Sequence, residues 1–134
     1  MRVAIGIEIG GTKLQAGVGG EDGRLRGRAR RTVDPARGAQ GIREAIPGLV
    51  DQALAEARIE RRDVVGIGVG FGGPVDTSRG VTLVSHQIEG WDQFPLRQWL
   101  ADQFQVPVAI QNDASLAGYA EAVGGAGKGC RRIF

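Results

Sequence analysis

Gly10, Gly11, Thr12 and Lys13 follow the apolar run Val3–Ile9 and precede a second apolar run, and these residue types in this order suit a phosphate-bearing ligand. Glycine lacks a Cβ, so the turn is free to take positive φ and bring its N–H groups close to an anion, with the Thr12 hydroxyl and the Lys13 ammonium beside them. That is nucleotide chemistry. The spacing is not that of a P-loop, and Leu14–Val18 reads as a strand, so the turn closes a hairpin. Lys13 also has a plainer reading, a solvated lysine after a turn. Glu8, one residue before Ile9, is placed either to hold Mg²⁺ directly or through water, or to occupy a half-exposed strand position.

Asn112 and Asp113 sit where a strand hands over to a helix, the crevice in which α/β proteins usually bind ligands. The Asp113 carboxylate can take a hydroxyl proton while the Asn112 amide holds the same hydroxyl. Asn and Asp are also ordinary helix caps, and on their own the two residues favour capping over catalysis. Gly72 and Gly73 let main chain approach a sugar, or simply turn with Pro74. His86, Gln87 and Glu89 precede Trp91, and polar groups beside an aromatic suit carbohydrate, although a loop histidine is more often surface decoration.

These residues need a sheet to position them. Val3–Ile9, Leu14–Val18 and Arg24–Val33 read as three strands of an antiparallel meander, joined by Gly10-Gly11 and by the Gly19–Gly23 connection. From about Gln40 to Arg58, Ile42, Ile46, Leu49, Val50, Ala53, Leu54 and Ala57 recur at helical spacing, with Pro47 marking a kink or a late helix start. Val64–Phe71 is a buried-type strand whose alternate glycines leave one face bare, and Val81–Val84 is a short strand. Pro95–Phe104 is a helix, Val106–Ile110 a strand, and Gln111-Asn112-Asp113 opens a helix to about Val123. Gly124–Gly129 reads as a linker or crossover, and Ile133-Phe134 as the start of another strand. The layout is α/β with a mixed sheet, three antiparallel strands followed by strand–helix alternation. Ile5-Gly-x-x-x-Gly-Gly and Ile67-Gly-x-x-x-Gly-Gly look alike because both strands are expected to end at one cleft.

A chain of 134 residues with formal net charge +2 supports one core. Arg24, Arg26, Arg28 and Arg30 alternate, so on a strand they share a face opposite Leu25 and Ala29. With aromatics at only 5% and none in this stretch, a solvated face or edge guard is favoured over a nucleic-acid site. Cys130 is the sole cysteine and His86 the sole histidine, which excludes an intrachain disulfide and a Cys/His zinc cluster; no metal-ligand cluster is expected. Without a membrane-length apolar run or a leader pattern, the expected setting is cytoplasmic, with neither nucleic acid nor membrane as partner.

Taken together, Ile5-Gly-Ile-Glu-Ile-Gly-Gly-Thr-Lys13, Gly66-Ile-Gly-Val-Gly-Phe-Gly-Gly-Pro-Val-Asp76 and Asn112-Asp-Ala-Ser-Leu-Ala-Gly-Tyr-Ala-Glu121, with Gly125-Ala-Gly-Lys-Gly129, resemble the ROK family of sugar kinases and repressors. The resemblance covers essentially the whole chain. It implies a ribonuclease H-like, actin-like ATPase fold of which these residues form the N-terminal lobe, the second lobe being absent from the chain. It further implies ATP-dependent phosphorylation of a hexose, glucose or an N-acetylhexosamine, with ATP and Mg²⁺ as cofactors. Gly10, Gly11 and Thr12 match the first phosphate motif, Gly73 a sugar-contacting glycine, Asn112 a sugar-binding asparagine, and Asp113 the catalytic base, which reverses the preference for capping. Family members are often homo-oligomers. The alternatives are a fragment of a sugar-responsive repressor, disfavoured because a strand begins at Val3 where repressors carry a helix-turn-helix, and a non-catalytic sugar-binding remnant. The chain departs from the family in Glu8 for the usual Asp, Gly72 for Pro, Ser115 for Asn, and polar replacements in Ser85–Trp91.

Overall fold

The computed structural model describes residues 1–112. The described chain runs β1 (Val3–Ile9), β2 (Lys13–Gly20), β3 (Leu25–Thr32), α1 (Gly38–Ala57), β4 (Val64–Phe71), β5 (Val75–Asp76), β6 (Val81–Thr82), α2 (Leu96–Phe104) and β7 (Val108–Asn112). Five strands form one sheet in the order β3-β2-β1-β4-β7. The first three strands pair antiparallel, whereas β1–β4 and β4–β7 are parallel, giving the mixed α/β sheet expected.

Period-two alternation divides the sheet into two unlike faces. Val3, Ile5, Ile7 and Ile9 are buried on one face, and the parallel register sets Ile67, Val69 and Phe71 beside the last three. The opposite face carries Ala4, Gly6 and Glu8 in β1 and Gly66, Gly68 and Gly70 in β4. Helix α1 lies across β2 and β3 and buries Ile42, Ile46, Leu49, Val50, Ala53 and Leu54. Each large aliphatic side chain withdrawn from water contributes roughly 1.5–3 kcal/mol. Ala57, also expected on this face, is partly buried. Pro47 lies inside α1, which begins at Gly38, so it does not mark a late start. Its ring costs the helix one N–H donor, tolerated here because packing on the sheet holds both flanking turns.

Several expectations are corrected. A β-bulge between Val18 and Gly19 shifts the pairing with β3, so Gly19 faces Leu25 and Val18 faces Gly27. The extra residue moves Leu25 off the buried face: it is 59% exposed and lies against Gly17, on the side of Arg28. Arg24 lies outside β3, so the arginine alternation survives only at Arg28 and Arg30, which flank buried Ala29. β3 is nevertheless a sheet edge, as the charge pattern suggested. Lys13 belongs to β2 and not to the turn. Val81–Val84 shortens to Val81–Thr82 and pairs with Val75–Asp76 as a separate two-stranded ribbon, because Thr82 turns inward and donates its hydroxyl to the Trp91 carbonyl at 2.6 Å. The last strand is Val108–Asn112 instead of Val106–Ile110. Gln105 closes α2 in the left-handed region, and the Pro107 carbonyl accepts from Ile67 N–H before the ladder begins. Gln111 and Asn112 therefore belong to this strand. The expected helix from Asp113, the glycine-rich connection and the final strand lie outside the described residues.

Gly27 explains how closely α1 approaches the edge strand. A Cβ there would overlap the Ala53 carbonyl oxygen and stand 2.7 Å from Ala57 N, both main-chain atoms of α1. Gly27→Ala is expected to push the helix outward and cost about 1–3 kcal/mol in urea unfolding. Gly19→Ala, with nothing within 4 Å of the new methyl, is expected to stay within about 0.5 kcal/mol of the parent.

Candidate functional site

Parallel register brings the candidate residues to one edge of the sheet. Ile9 is level with Phe71, and Phe71 with Asn112, so the Gly10–Thr12 turn, the Gly72–Pro74 turn and the end of β7 adjoin one another at the carboxyl ends of the parallel strands. Gly72 N–H donates to the Ile9 carbonyl at 2.8 Å and ties the two glycine turns together. The two turns of like sequence thus lie side by side, as the shared strand register requires.

The first turn works differently from the expectation of positive φ. Neither Gly10 nor Gly11 is among the positive-φ residues. Gly10 donates its N–H to the Lys13 carbonyl at 3.0 Å, and a Cβ on Gly10 would crowd that same oxygen at 3.2 Å. The Gly10 amide is therefore spent within the hairpin. Gly11 and Thr12 keep N–H groups with no main-chain acceptor among the described residues, and the Thr12 carbonyl holds Val33 N–H at 2.8 Å. An anion at this turn would meet two free amides, the exposed Thr12 hydroxyl and the Lys13 ammonium.

Glu8 is half-buried, level with Gln15 on one side and Gly70 on the other. Neither Glu8 nor Lys13 joins an ion pair among the described residues. A half-buried carboxylate with no cation beside it leaves its oxygens open to a ligand. Gly73 is required by packing: a Cβ there would lie 2.6 Å from the Val84 carbonyl oxygen and 3.0 Å from the Phe71 ring. Asn112 is exposed at the end of β7. Asp113 lies outside the described residues.

The segment Ser85–Trp91 overlies this edge, held by contacts that periodicity does not reveal. Ser85 Oγ accepts from Gln87 N–H and Ile88 N–H at 3.3 and 3.1 Å, while Ile88 and Trp91 are buried. The Glu89 carbonyl accepts from Ala39 N–H at 2.7 Å, capping the first turn of α1, whose own N-cap residue Arg37 makes no side-chain cap. Gly38 and Gly90, both at positive φ, permit the approach. Arg43 closes the contact, donating to the Gly90 carbonyl at 3.2 Å and stacking its guanidinium 4.2 Å from the Phe94 ring centroid and 5.3 Å from that of Trp91. Desolvation lowers the Arg43 pKa. Of the polar trio in this loop, His86 and Glu89 are exposed, and Gln87 reaches the first glycine turn. Beyond the second turn, Asp76 accepts from the Ser78 hydroxyl at 2.7 Å and Arg79 N–H at 3.1 Å, which holds its carboxyl below the usual range.

The sequence profile of the ROK family matches residues 4–134. The chain belongs to the ROK family. It is 32% identical to the glucokinase of Streptomyces coelicolor over 134 residues, all of this chain and 40% of that protein. It is 32% identical to the N-acetylmannosamine kinase of Escherichia coli over 117 residues, 87% of this chain and 38% of that one. Among solved structures, a ROK glucokinase from Streptomyces griseus in complex with glucose and AMPPNP matches with TM-score 0.75 and 35% identity, over 95% of this chain and 38% of its own. A ROK transcriptional regulator, at 16% identity and TM-score 0.71, shares the fold. This ROK chain spans about 40% of the length of the kinases it matches.

The Arg43 clamp makes the ROK loop's placement testable. Arg43→Met keeps the aliphatic stem but removes the cation–π stack and the Gly90 hydrogen bond, and is expected to cost about 1–2 kcal/mol in chemical denaturation. A red shift of tryptophan emission before the main transition, as Trp91 is uncovered, is the accompanying signature.

Proposed function

We propose that residues 1–134 are the N-terminal lobe of an ATP-dependent hexose kinase of the actin-like, ribonuclease H-like class, acting on glucose or an N-acetylhexosamine. The observation that carries this reading is the meeting, at one sheet edge, of a turn with two free amides, a second glycine turn and Asn112 of β7. It is supported by the kinase relatives and by the glucose and AMPPNP held by the Streptomyces griseus enzyme. The share of those kinases that the chain spans supports the single-lobe reading.

In this reading the Gly11 and Thr12 amides and the Lys13 ammonium cradle the terminal phosphates. Glu8 suits Mg²⁺, which draws most of its ligands from phosphate and water and needs only one or two carboxylates from protein. When bound, the ion neutralises charge on the phosphate oxygens. Gly73 and Asn112 orient the hexose. Its hydroxyl oxygen bonds to the γ-phosphorus as the bond from that phosphorus to the β–γ bridging oxygen breaks, and Asp113 takes the hydroxyl proton. The transition state is loose, so positioning contributes more than the strength of the base. A half-cleft cannot exclude water from the transferring phosphoryl group.

Asp113→Ala, in a protein carrying both lobes, is expected to lower kcat by roughly 10²–10⁴-fold while hexose affinity changes only a few-fold. A coupled ADP-release assay reads this, and unchanged turnover would remove Asp113 from the mechanism. Residues 1–134 alone are expected to release no ADP above background; sugar-dependent turnover by them would overturn the single-lobe reading.

A further inference from the structure

Gln87 is an exposed side chain in the segment Ser85–Trp91, and it lies against the glycine turn. A Cβ on Gly11 would overlap Gln87 Oε1 and stand 2.6 Å from Gln87 Cδ and 3.1 Å from its Cβ. Gly11 does not need positive φ, so its lack of a side chain serves this contact: the room beside the turn is taken by a carboxamide. Among the described residues that carboxamide has no hydrogen-bond partner, which leaves one acceptor oxygen and two N–H donors uncommitted beside Gly11.

The main chain carrying this side chain is fixed on both sides. Ser85 Oγ holds Gln87 N–H, Ile88 and Trp91 are buried one and four residues later, and the Glu89 and Gly90 carbonyls are bonded to α1. Presenting the carboxamide therefore does not require ordering a free loop on binding, a cost that weakens recognition by mobile segments. The chemistry of the group decides what it meets. Phosphoryl oxygens only accept hydrogen bonds, so a phosphate would engage the N–H donors of the carboxamide and leave its oxygen unmet. A sugar hydroxyl both donates and accepts, and so satisfies the oxygen and the N–H donors of one carboxamide together.

We propose that Gln87 hydrogen-bonds a hexose hydroxyl beside the phosphate turn and so takes part in selecting the sugar. This rests on the hexose-kinase reading above and adds to it a specificity residue on the loop that overlies the sheet edge. Gly11 belongs to the same device, since any side chain there would displace the carboxamide.

The test is NMR titration of the ¹⁵N-labelled 134-residue chain, with the Gln87 side-chain NH₂ pair assigned by its loss in Gln87→Glu. Glucose, N-acetylmannosamine and galactose are the sugar probes, and sodium pyrophosphate is the phosphate probe. The expected result is a saturable shift of the Gln87 pair with at least one hexose and none with pyrophosphate. Gln87→Ala should weaken that hexose's Kd about tenfold, the size of one lost hydrogen bond, while the Gly11 and Thr12 amides keep their response to pyrophosphate. If a hexose moves the Gly73 and Asn112 amides but not Gln87, or if Gln87→Ala leaves Kd unchanged, the assignment of Gln87 falls and the hexose reading stands. A Gln87 pair that moves with pyrophosphate alone belongs to the phosphate side and overturns the proposal. Absence of any response to every hexose at Gly73, Asn112 and Gln87 counts against both.

Discussion

The parallel pairing of β1 with β4 is the constraint on which the site depends. Ile5, Ile7 and Ile9 lie beside Ile67, Val69 and Phe71, and the three pairs form one buried face. A slip of one strand by one residue would turn its three side chains toward the opposite face, so burial of these residues enforces the register. The same register brings Gly10 and Gly72 to the same edge, where Gly72 N–H bonds to the Ile9 carbonyl. Hydrophobic burial several residues away thus places two turns whose own sequences carry almost no packing information.

Glycine serves different purposes along this edge, and residue type alone does not distinguish them. Gly10 yields to the Lys13 carbonyl, Gly11 to the Gln87 side chain, and Gly73 to the Val84 carbonyl and the Phe71 ring. Gly38 and Gly90, at the junction of the overlying loop with α1, do use the positive φ that glycine permits. The site-edge glycines are therefore close-approach positions, compatible with ligand contact but already accounted for by the chain's own packing.

The overlying loop joins the sheet edge to α1. Trp91 is buried between Phe71 and Phe94, edge-to-face with both, and Arg43 of α1 covers Trp91 and Phe94. The Glu89 carbonyl meanwhile satisfies a first-turn amide of α1 that no side chain caps. α1 and the residues beside the glycine turn are thus joined through packed and hydrogen-bonded groups.

What the sequence determined by itself was whatever depends on local periodicity. The alternation in Val3–Ile9, the 3.6-residue spacing from Ile42 to Ala57, and the paired Gly-Gly turns are nearest-neighbour patterns, and they specified the meander, α1, β4 and the strand ends at which a ligand would sit. Tertiary structure decided whatever depends on which strand meets which. The bulge at Val18/Gly19 reversed Leu25, the Pro107 carbonyl delayed β7 to Val108, and Thr82 was drawn inward to the Trp91 carbonyl. Gln87 is the clearest case. Its contact with Gly11 joins residues 76 positions apart, and no local pattern records such a contact, because it exists only once the core has set the distance between the two segments.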